Sequence, residues 1–382
     1  MPLRSVLDGI RILDLTTNLP GPLASQILGD FGADVIKVES LVGDPIRHYP
    51  PFVDHESQLN LLLNRNKRSI AINLKQKEGL DIFYKLVETC DIVIVGFRPS
   101  TVRKLKIEYS VLSKINSKLI YCQLTGYGST DNRVGHDLNY IGEAGILNLT
   151  GPKNYPVVPG VPIADIGGGS LPTVITVLGA LLQRKDVPQY YDISMVEHLL
   201  PWLSVVAAEY IAGLGEPERT LHALSGYIPW YGVYQAKDQK FISFAPIESK
   251  FWKNFCNAVD RSDLIDKQHN LELCEEELPK IFSLRTTDDW TKLFVRFDIP
   301  GGEVLTLDSI FQKKARLTET NHPELGAIKL ISSPYLNPKI SHDYQVAPSL
   351  GEHTREILEE IGMNEDIERL MKKGVIGTND SE

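Results

Sequence analysis

The feature that most constrains the fold is the alternation of strand-like and helix-like segments in the first third of the chain. GIRILDL at 9–15 is typical of a buried strand, and PLASQILGDFG at 22–32 predicts a helix that ends at its final glycine. Four further buried-strand patterns follow at 33–39, 69–74, 91–97 and 118–124. Strands separated by helices require crossover connections, so we expect a large, Rossmann-like α/β domain with a parallel sheet.

The remainder of the chain predicts a second, smaller domain. Residues 170–185 are almost entirely apolar, which predicts a helix buried on every side, and a further apolar helix is expected at 194–213. An aromatic stretch then leads into strand and helix patterns typical of an α+β unit. We therefore predict a large domain formed by residues 1–215 and completed by the tail at 325–382, with a small α+β domain inserted at 216–324.

Composition excludes several classes of protein. The 382 residues are 42% hydrophobic and 23% charged, which is typical of a globular chain and not of a disordered one. The net charge of −9 argues against a nucleic-acid partner but permits a local basic pocket for one anionic ligand. No stretch approaches the ~20 apolar residues of a membrane span, and no signal peptide precedes the first strand. We expect no membrane partner and a cytoplasmic location.

The motifs that hold common cofactors are missing from the sequence. The loop after the first strand lacks GxGxxG, and the glycine-rich segment at 167–169 lacks GK[ST], so neither a bound dinucleotide nor nucleotide hydrolysis is expected. The nine histidines form no HExxH motif, and the four cysteines form no CxxC motif. We expect no cofactor and no metal, and a site that acts through side chains alone.

Three segments carry residues suited to acid–base or nucleophilic chemistry. His136 follows a predicted strand, at the sheet edge where ligands bind, although a role in capping the next helix is the alternative. Asp165 precedes the glycines at 167–169, whose backbone N–H groups could hold an oxyanion, although a helix cap is again the alternative. Glu248 lies between a predicted strand and helix, where a carboxylate in the first helical turn is also common.

A basic cluster, NRNKR at 64–68, adds an electrostatic feature. A solvated face is the ordinary explanation of such a run of charges. A pocket for a phosphate-rich ligand is the alternative, because a local basic site is compatible with an acidic protein.

These segments also carry a family resemblance. The chain contains, in order, LDGIRILDLT, PGPLASQILGDFGADVIKVE, NRNKRSIAINLK, FRP, GYGST, GHDLNY, ADIGGGS, IESKFW and APSLGEHTREILEEIG. Together they resemble the family III CoA-transferase superfamily over nearly the whole chain. The histidine of GHDLNY is similar to that of the α-methylacyl-CoA racemases in this family. The resemblance implies an acyl-CoA substrate, with CoA as part of that substrate, and an interlocked homodimer.

Two activities follow from the resemblance. A racemase would invert the α-carbon of a 2-methyl-branched acyl-CoA through an enolate, with His136 and Asp165 as the acid–base pair and Glu248 holding the histidine. In the alternative, an acyl-CoA:carboxylate CoA-transferase, Asp165 is the nucleophile that takes the acyl group. A CoA-binding protein without activity is a third reading. The CoA contacts that the resemblance implies are Asn73, Leu74, Lys75, Arg98, Gly135, Asp137 and Tyr140.

The sequence departs from the family pattern at two places. GSTDN follows Tyr127 where the family commonly has GQxGP, so the shape of this loop is expected to differ. Ser40 stands where the racemases usually place an arginine near the CoA phosphates. Lys37 and Arg47 are the candidates to replace that charge.

Overall fold

The computed structural model describes residues 5–183, 185–216, 218–219, 224, 226–314, 317–336, 344–363 and 366–379. The chain forms two compact units. The first consists of Met1–Ala144, Gly160–Pro201 and Arg316–Glu382, and the second consists of Gly145–Pro159 and Trp202–Ala315. The boundaries expected from the sequence, near 215 and 325, stay a prediction.

Within the described residues, the strands are β1 (Arg11–Leu15), β2 (Asp34–Glu39), β3 (Phe52–Val53), β4 (Glu56–Ser57), β5 (Lys67–Ile72), β6 (Ile92–Val95), β7 (Ile120–Thr125), β8 (Gln189–Ser194), β9 (Gly232–Gln235), β10 (Phe241–Phe244), β11 (Gly301–Glu303), β12 (Leu317–His322), β13 (Gly326–Ile331) and β14 (Ile376–Gly377). The sheet of the first unit has the order β14-β5-β2-β1-β6-β7-β8. Its strands pair in parallel, except that β14 pairs antiparallel with β5.

The α-helices of the described residues are α1 (Pro20–Asp30), α2 (Gln58–Leu63), α3 (Lys77–Glu88), α4 (Pro99–Leu105), α5 (Tyr109–Ile115), α6 (Asp137–Glu143), α7 (Ile146–Leu149), α8 (Leu171–Gln183), α9 (Met195–Leu199), α10 (Ala207–Ile211), α11 (Ser249–Ala258), α12 (Leu271–Phe282), α13 (Thr287–Phe297), α14 (Leu307–Lys314), α15 (Thr354–Glu360) and α16 (Ile367–Lys372). A π-helical turn, Ala164–Ser170, leads directly into α8.

The C-terminal tail completes the core of the first unit. Ile357 and Leu358 of α15 and Leu370 of α16 are buried in the same apolar cluster as Ile72 of β5. Ile376 of β14 pairs with Ile72 at the sheet edge. The prediction of an α/β fold with a large, mainly parallel sheet is therefore confirmed. Strands buried on both faces appear in a sequence as unbroken apolar runs, which is why these strands were recognisable.

The basic cluster at 64–68 is largely internal. The guanidinium of Arg65 pairs with Asp30 at 2.7 Å, and both side chains are almost fully buried. The ammonium of Lys67 lies 3.2 Å from a carboxylate oxygen of Asp14, and both of these side chains are completely buried. A solvated face and a phosphate pocket are therefore both wrong for these two basic residues, which hold strands and helices together.

Lys37 and Arg47 are also used inside the fold. The Lys37 ammonium is completely buried and lies 2.9 Å from Asp44. Arg47 is buried and pairs with Glu39 at 2.8 Å. Neither side chain is free to meet a phosphate, so the expectation that one of them replaces the arginine missing at Ser40 is wrong.

Helix α8 is buried on one face only. Thr173, Val174 and Val177 are buried, whereas Ile175 and Leu182 are 69% and 91% exposed. The expectation of a helix buried on every side is therefore wrong for the single chain. Among the described residues, Ala164–Gln183 is one helical stretch whose length and composition suffice to cross a membrane, a criterion that core helices also meet. The expectations of a homodimer and of no membrane partner stay predictions.

The apolar helix expected at 194–213 is interrupted. Helix α9 ends at Leu199, a 3₁₀ turn covers Leu200–Leu203, and α10 begins only at Ala207. Pro201 lies in this turn, and proline cannot donate the backbone hydrogen bond that a continuous helix requires.

The second unit has its own aromatic core. Strands β9, β10 and β11 form an antiparallel sheet. Trp252 of α11, Phe282 of α12 and Trp290 of α13 are fully buried against it. Trp230 joins the same core, and Trp202, 55% exposed, also belongs to this unit. All four tryptophans of the sequence therefore lie in the second unit.

Candidate active site

A cavity of about 560 Å³ opens at the carboxyl ends of the central strands of the first unit. Its wall is built from the loops after β1, β6 and β7, together with Asp165 and Met195. The chain runs outward from β1 through β2 and β5, and then returns to β6 on the other side of β1. The cavity thus lies at the point where the strand order reverses, which is where open α/β sheets bind their ligands.

Asp165 presents a free carboxylate to this cavity. It lies half-buried in the π-helical turn, a distortion that is frequent at functional sites. Its backbone N–H donates to Oδ1 of Asp137 at 3.0 Å, so its main chain is fixed. Within the described residues, no hydrogen bond engages its carboxylate oxygens. The side chain is therefore held in place and open to a ligand.

The charge state of Asp165 is set by its surroundings. Burial raises its pKa, the negative charge of Asp137 raises it further, and His136 lowers it, with a result of about 6. The three groups thus interact electrostatically, and two of them, His136 and Asp165, line the cavity. At neutral pH the carboxylate is mainly ionised but more basic than an ordinary aspartate.

His136 and Asp137 lie at the beginning of α6. His136 lines the cavity and is exposed, and its backbone N–H donates to Oδ1 of Asn139 at 3.0 Å. Asp137 accepts the backbone N–H groups of Ala164 at 2.6 Å and of Asp165 at 3.0 Å. Asp137 therefore fixes the segment that carries Asp165, and its expected contact with CoA stays a prediction.

The other expected CoA contacts fall into two groups. Arg98, Gly135 and Tyr140 line the cavity with His136 and Asp165. The remaining three follow β5 and are not part of its wall among the described residues. There, Oδ1 of Asn73 accepts the N–H of Lys75, and Leu74 packs against the apolar core. All of these contacts with CoA stay predictions.

Glu248 lies in the second unit, where it immediately precedes α11 and is exposed. Its backbone carbonyl accepts the N–H groups of Phe251 and Trp252. Glu248 thus lies at the N-terminus of a helix, which is the structural alternative expected for it from the sequence. Its expected role in holding His136 stays a prediction.

The glycines at 167–169 serve packing. All three are described, all are buried, and the cavity wall includes none of them. A Cβ at Gly168 would lie 2.4 Å from the carbonyl oxygen of Met195, and one at Gly169 would lie 2.9 Å from Pro20. These glycines let the turn pack closely against α9 and α1. The expectation that their backbone N–H groups hold an oxyanion stays a prediction.

The loop with the unusual GSTDN sequence is firmly anchored. The N–H and hydroxyl of Ser129 donate to Asp192 at 2.9 Å and 2.6 Å. Arg133 forms a two-pronged ion pair with Glu143, at 2.8 Å for each contact, and stacks 4.0 Å above the ring of Tyr127. Sequence reasoning did not single out Arg133 or Tyr127, and a stacked guanidinium leaves no local sequence signal.

Comparison with known proteins fits this fold and site. The family model described as CoA-transferase family III matches residues 7–354. The succinyl-CoA:glutarate CoA-transferase of Mus musculus is 35% identical, over 97% of this chain and 90% of that protein. The α-methylacyl-CoA racemase of Homo sapiens is 28% identical, over 98% of both chains. A crystal structure of a CAIB/BAIF family protein from Brucella suis has a TM-score of 0.79, with 27% identity over 93% of this chain and 98% of that one.

These comparisons and the α/β architecture define an enzyme of acyl-CoA chemistry. The chain belongs to CoA-transferase family III.

Proposed function

We propose that this chain is an acyl-CoA:carboxylate CoA-transferase in which Asp165 is the nucleophile. The observation that carries the proposal is the Asp165 carboxylate, which lines the cavity and has no hydrogen bond to the described residues. Relatives named succinyl-CoA:glutarate CoA-transferase, at 33–35% identity over nearly the whole chain, support it. Their names suggest succinyl-CoA as the donor and a dicarboxylic acid as the acceptor.

The proposed reaction needs no group beyond the substrates and the protein. The Asp165 carboxylate attacks the thioester carbonyl and expels the CoA thiolate, which leaves a mixed anhydride. The thiolate then attacks the aspartyl carbonyl, so the donor acid departs and an aspartyl-CoA thioester remains. The acceptor carboxylate attacks that thioester and again releases the thiolate. Attack of the thiolate on the acceptor's acyl carbon forms the new acyl-CoA and regenerates Asp165.

The raised pKa suits this role. A carboxylate with a pKa of about 6 is still mainly ionised at pH 7, as a nucleophile must be. Its greater basicity makes it a better nucleophile than an ordinary aspartate. In the first anhydride the same basicity makes Asp165 a poorer leaving group, which directs the CoA thiolate to the aspartyl carbonyl, from which the donor acid departs.

The test follows the covalent intermediate. The enzyme is incubated with succinyl-CoA and glutarate, glutaryl-CoA is measured, and a second sample without acceptor is reduced with borohydride. Reduction converts an aspartyl thioester to an alcohol, which mass spectrometry locates on the peptide that contains residue 165. Asp165→Asn should lose both the product and the reduced peptide. Asp131→Asn, which alters another carboxylate on the same cavity wall, should still form the thioester.

A wild-type enzyme that transfers no CoA and forms no thioester at Asp165 contradicts the proposal. Because acceptor acids differ among the names of the relatives, the measurement is repeated with malate as acceptor, which appears in the name of a relative from Chloroflexus aurantiacus.

One observation favours a second candidate, the α-methylacyl-CoA racemase. His136 lines the same cavity as Asp165 and interacts with it electrostatically. A histidine and a carboxyl group with a raised pKa can exchange a proton with an acidic α-carbon from two sides. In this candidate, Glu248 would hold His136. The test is deuterium exchange at C2 of either epimer of a 2-methylacyl-CoA in D₂O, which a pure transferase will not catalyse.

A further inference from the structure

The turn between β1 and α1 has an unusual backbone. Asn18 has a φ of 64°, in the left-handed region. Asparagine and glycine adopt this conformation at low cost, whereas a branched side chain is strained there. The turn lines the cavity through Thr16, Thr17 and Asn18, so this backbone geometry decides what the turn presents to a ligand.

A buried ion pair holds the turn in that conformation. The N–H of Asn18 donates to Oδ1 of Asp44 at 3.1 Å. The other oxygen of Asp44 lies 2.9 Å from the ammonium of Lys37, and both side chains are completely buried. The same ammonium donates to the carbonyl of Thr16 at 3.1 Å. The turn is thus tied at two backbone positions to one rigid pair.

The side chain of Asn18 remains available. It is exposed, it lines the same cavity as Asp165, and no described residue hydrogen-bonds to its carboxamide. Two other donors on the wall are engaged: the hydroxyl of Tyr140 donates to the carbonyl of Gly135, and Arg133 binds two carboxylates. Arg98 also lines the cavity, and no hydrogen bond to a described residue engages its side chain. The backbone of Asn18 is fixed and its carboxamide has no partner among the described residues, so this side chain is suited to contact a ligand in the cavity.

A carboxylate ligand requires hydrogen-bond donors, because its two oxygens only accept. Asp165 places a negative charge on this wall, which opposes the approach of an acid. A neutral amide supplies a donor without changing the charge of Asp165, and therefore without making it a weaker nucleophile. An ammonium or guanidinium at the same place would lower the pKa of Asp165.

We propose that Asn18 is a specificity-determining residue whose carboxamide donates a hydrogen bond to the carboxylate of the acceptor acid, and that the Lys37–Asp44 pair positions it. This inference rests on the proposed transferase function. It concerns the acceptor half of the reaction, after the enzyme has formed its aspartyl-CoA thioester.

The experiment compares Asn18→Gly and Asn18→Asp with the wild type. Glycine tolerates the positive φ and removes the amide, and aspartate keeps the size but replaces the donor with a negative charge. We expect the KM for glutarate to rise roughly 10- to 100-fold in Asn18→Gly, as for loss of a hydrogen bond to a charged group, and further in Asn18→Asp. Succinate leaves by the reverse of the step in which glutarate enters, so formation of the aspartyl-CoA thioester from succinyl-CoA should also slow in both variants.

Two results overturn the inference. One is an unchanged KM for glutarate in both variants. The other is a loss of both half-reactions in Asn18→Gly that is accompanied by a lower melting temperature and by unchanged binding of glutarate, which would assign Asn18 a merely structural role.

Calorimetric titration of the resting enzyme with glutarate separates this inference from the proposed function. If the wild type forms no thioester but binds glutarate, and Asn18→Gly weakens that binding, the transferase proposal fails and the Asn18 contact stands. If the wild type transfers CoA but the variants bind and use glutarate normally, the transferase proposal stands and the Asn18 contact fails. A wild type that neither transfers CoA nor binds glutarate contradicts both.

Discussion

Asp165 and Asp14 lie in the same unit, but their carboxyl groups have pKa values on opposite sides of the usual range. Burial alone would raise the pKa of Asp14, yet Lys67 and a second buried lysine hold it at about 2. Burial also raises the pKa of Asp165, and with a negative neighbour instead of a positive one the result is about 6. The charge of the neighbours therefore decides whether the pKa of a buried aspartate falls below or rises above its usual value.

The first prediction concerns the two residues that adjust Asp165 in opposite directions. Asp137→Asn removes a negative charge, so the pKa of Asp165 should fall and the acidic limb of kcat/KM should move to lower pH. His136→Gln removes a group that lowers this pKa, so the limb should move to higher pH. The amide oxygen introduced by Asp137→Asn can still accept the N–H groups of Ala164 and Asp165.

The measurement is a pH profile of kcat/KM for glutaryl-CoA formation in the two variants and the wild type. If the acidic limb of the kcat/KM profile moved in the same direction in both variants, the opposite electrostatic effects of Asp137 and His136 on Asp165 would be contradicted. Asp131→Asn is the control, because it removes a carboxylate from the same wall that does not contribute to the pKa shift of Asp165.

The candidate site was only partly predictable from the sequence at this scale. His136 and Asp165 were recognisable because each follows or precedes an element with a clear pattern. Asn18 was not, since nothing in the letters TTN reveals a positive φ or the distant Asp44 that fixes it. The hydrogen bonds of Asp137 were not predictable for the same reason: the residues whose N–H groups it accepts lie 27 and 28 residues away.

At the scale of elements, the contact between the π-helical turn and α9 positions Asp165. The turn approaches α9 so closely that only a hydrogen fits at position 168. Gly179 lies on the continuous helix α8, where a Cβ would have nothing within 4 Å. Gly168 and Gly179 thus differ in the space available to a side chain: a methyl group would clash at Gly168 and would meet nothing at Gly179.

The second prediction uses this difference. Gly168→Ala forces a methyl group against the carbonyl of Met195 and should lower the free energy of unfolding by about 1–3 kcal/mol, and reduce transfer by displacing Asp165. Gly179→Ala is the matched control and should raise the free energy of unfolding by up to about 1 kcal/mol, because alanine favours helix. Urea unfolding followed by far-UV circular dichroism measures both. Equal effects would show that the turn relaxes freely.

Strands and helices were predictable where both of their faces are buried, because such elements appear in the sequence as unbroken apolar runs. Interrupted elements and buried charges leave no such pattern. Strands β1, β2, β5, β6 and β7 follow the apolar runs, because both of their faces are covered. The interruption at Leu200–Leu203 was missed because the residues on both sides of it are mostly apolar, as they would be in one continuous buried helix. The internal position of Arg65 and Lys67 was missed because a run of charges carries no information about the carboxylates it will meet.

At the scale of the whole molecule, buried charges link segments that are far apart in sequence. Asp14 of β1 accepts from Ser25 of α1 and from Lys67 of β5, and its pKa is also lowered by Lys37 of β2. Removing one partner from such a set leaves the others buried without compensation, which is more costly than never having buried them. The first unit therefore depends on every member of this cluster.

The third prediction follows. Asp14→Asn removes the counter-charge of two buried lysines and should lower the free energy of unfolding of the first unit by about 3–5 kcal/mol. The wild-type carboxylate has a folded pKa below its ordinary value, so its stabilising effect is present above about pH 4 and is lost as the pH falls towards 2. The variant should lack this part of the acid dependence.

Acid and urea titrations, each followed by circular dichroism, measure the two effects. Lys292→Met is the control, because it breaks an exposed helical pair with Asp288 and should leave stability unchanged. An Asp14→Asn protein as stable as the wild type would show that the lysines lose their charge or find water instead.

The placement of the tryptophans has an optical consequence. Trp230, Trp252 and Trp290 are buried in the core of the second unit, so the change in their emission reports the unfolding of that core. Trp202, which directly follows Pro201 of the first unit and is already 55% exposed, contributes little to that change. Circular dichroism records helices and strands of both. Comparing the two signals in a single urea titration distinguishes unfolding of the second unit from unfolding of the whole chain without any added dye.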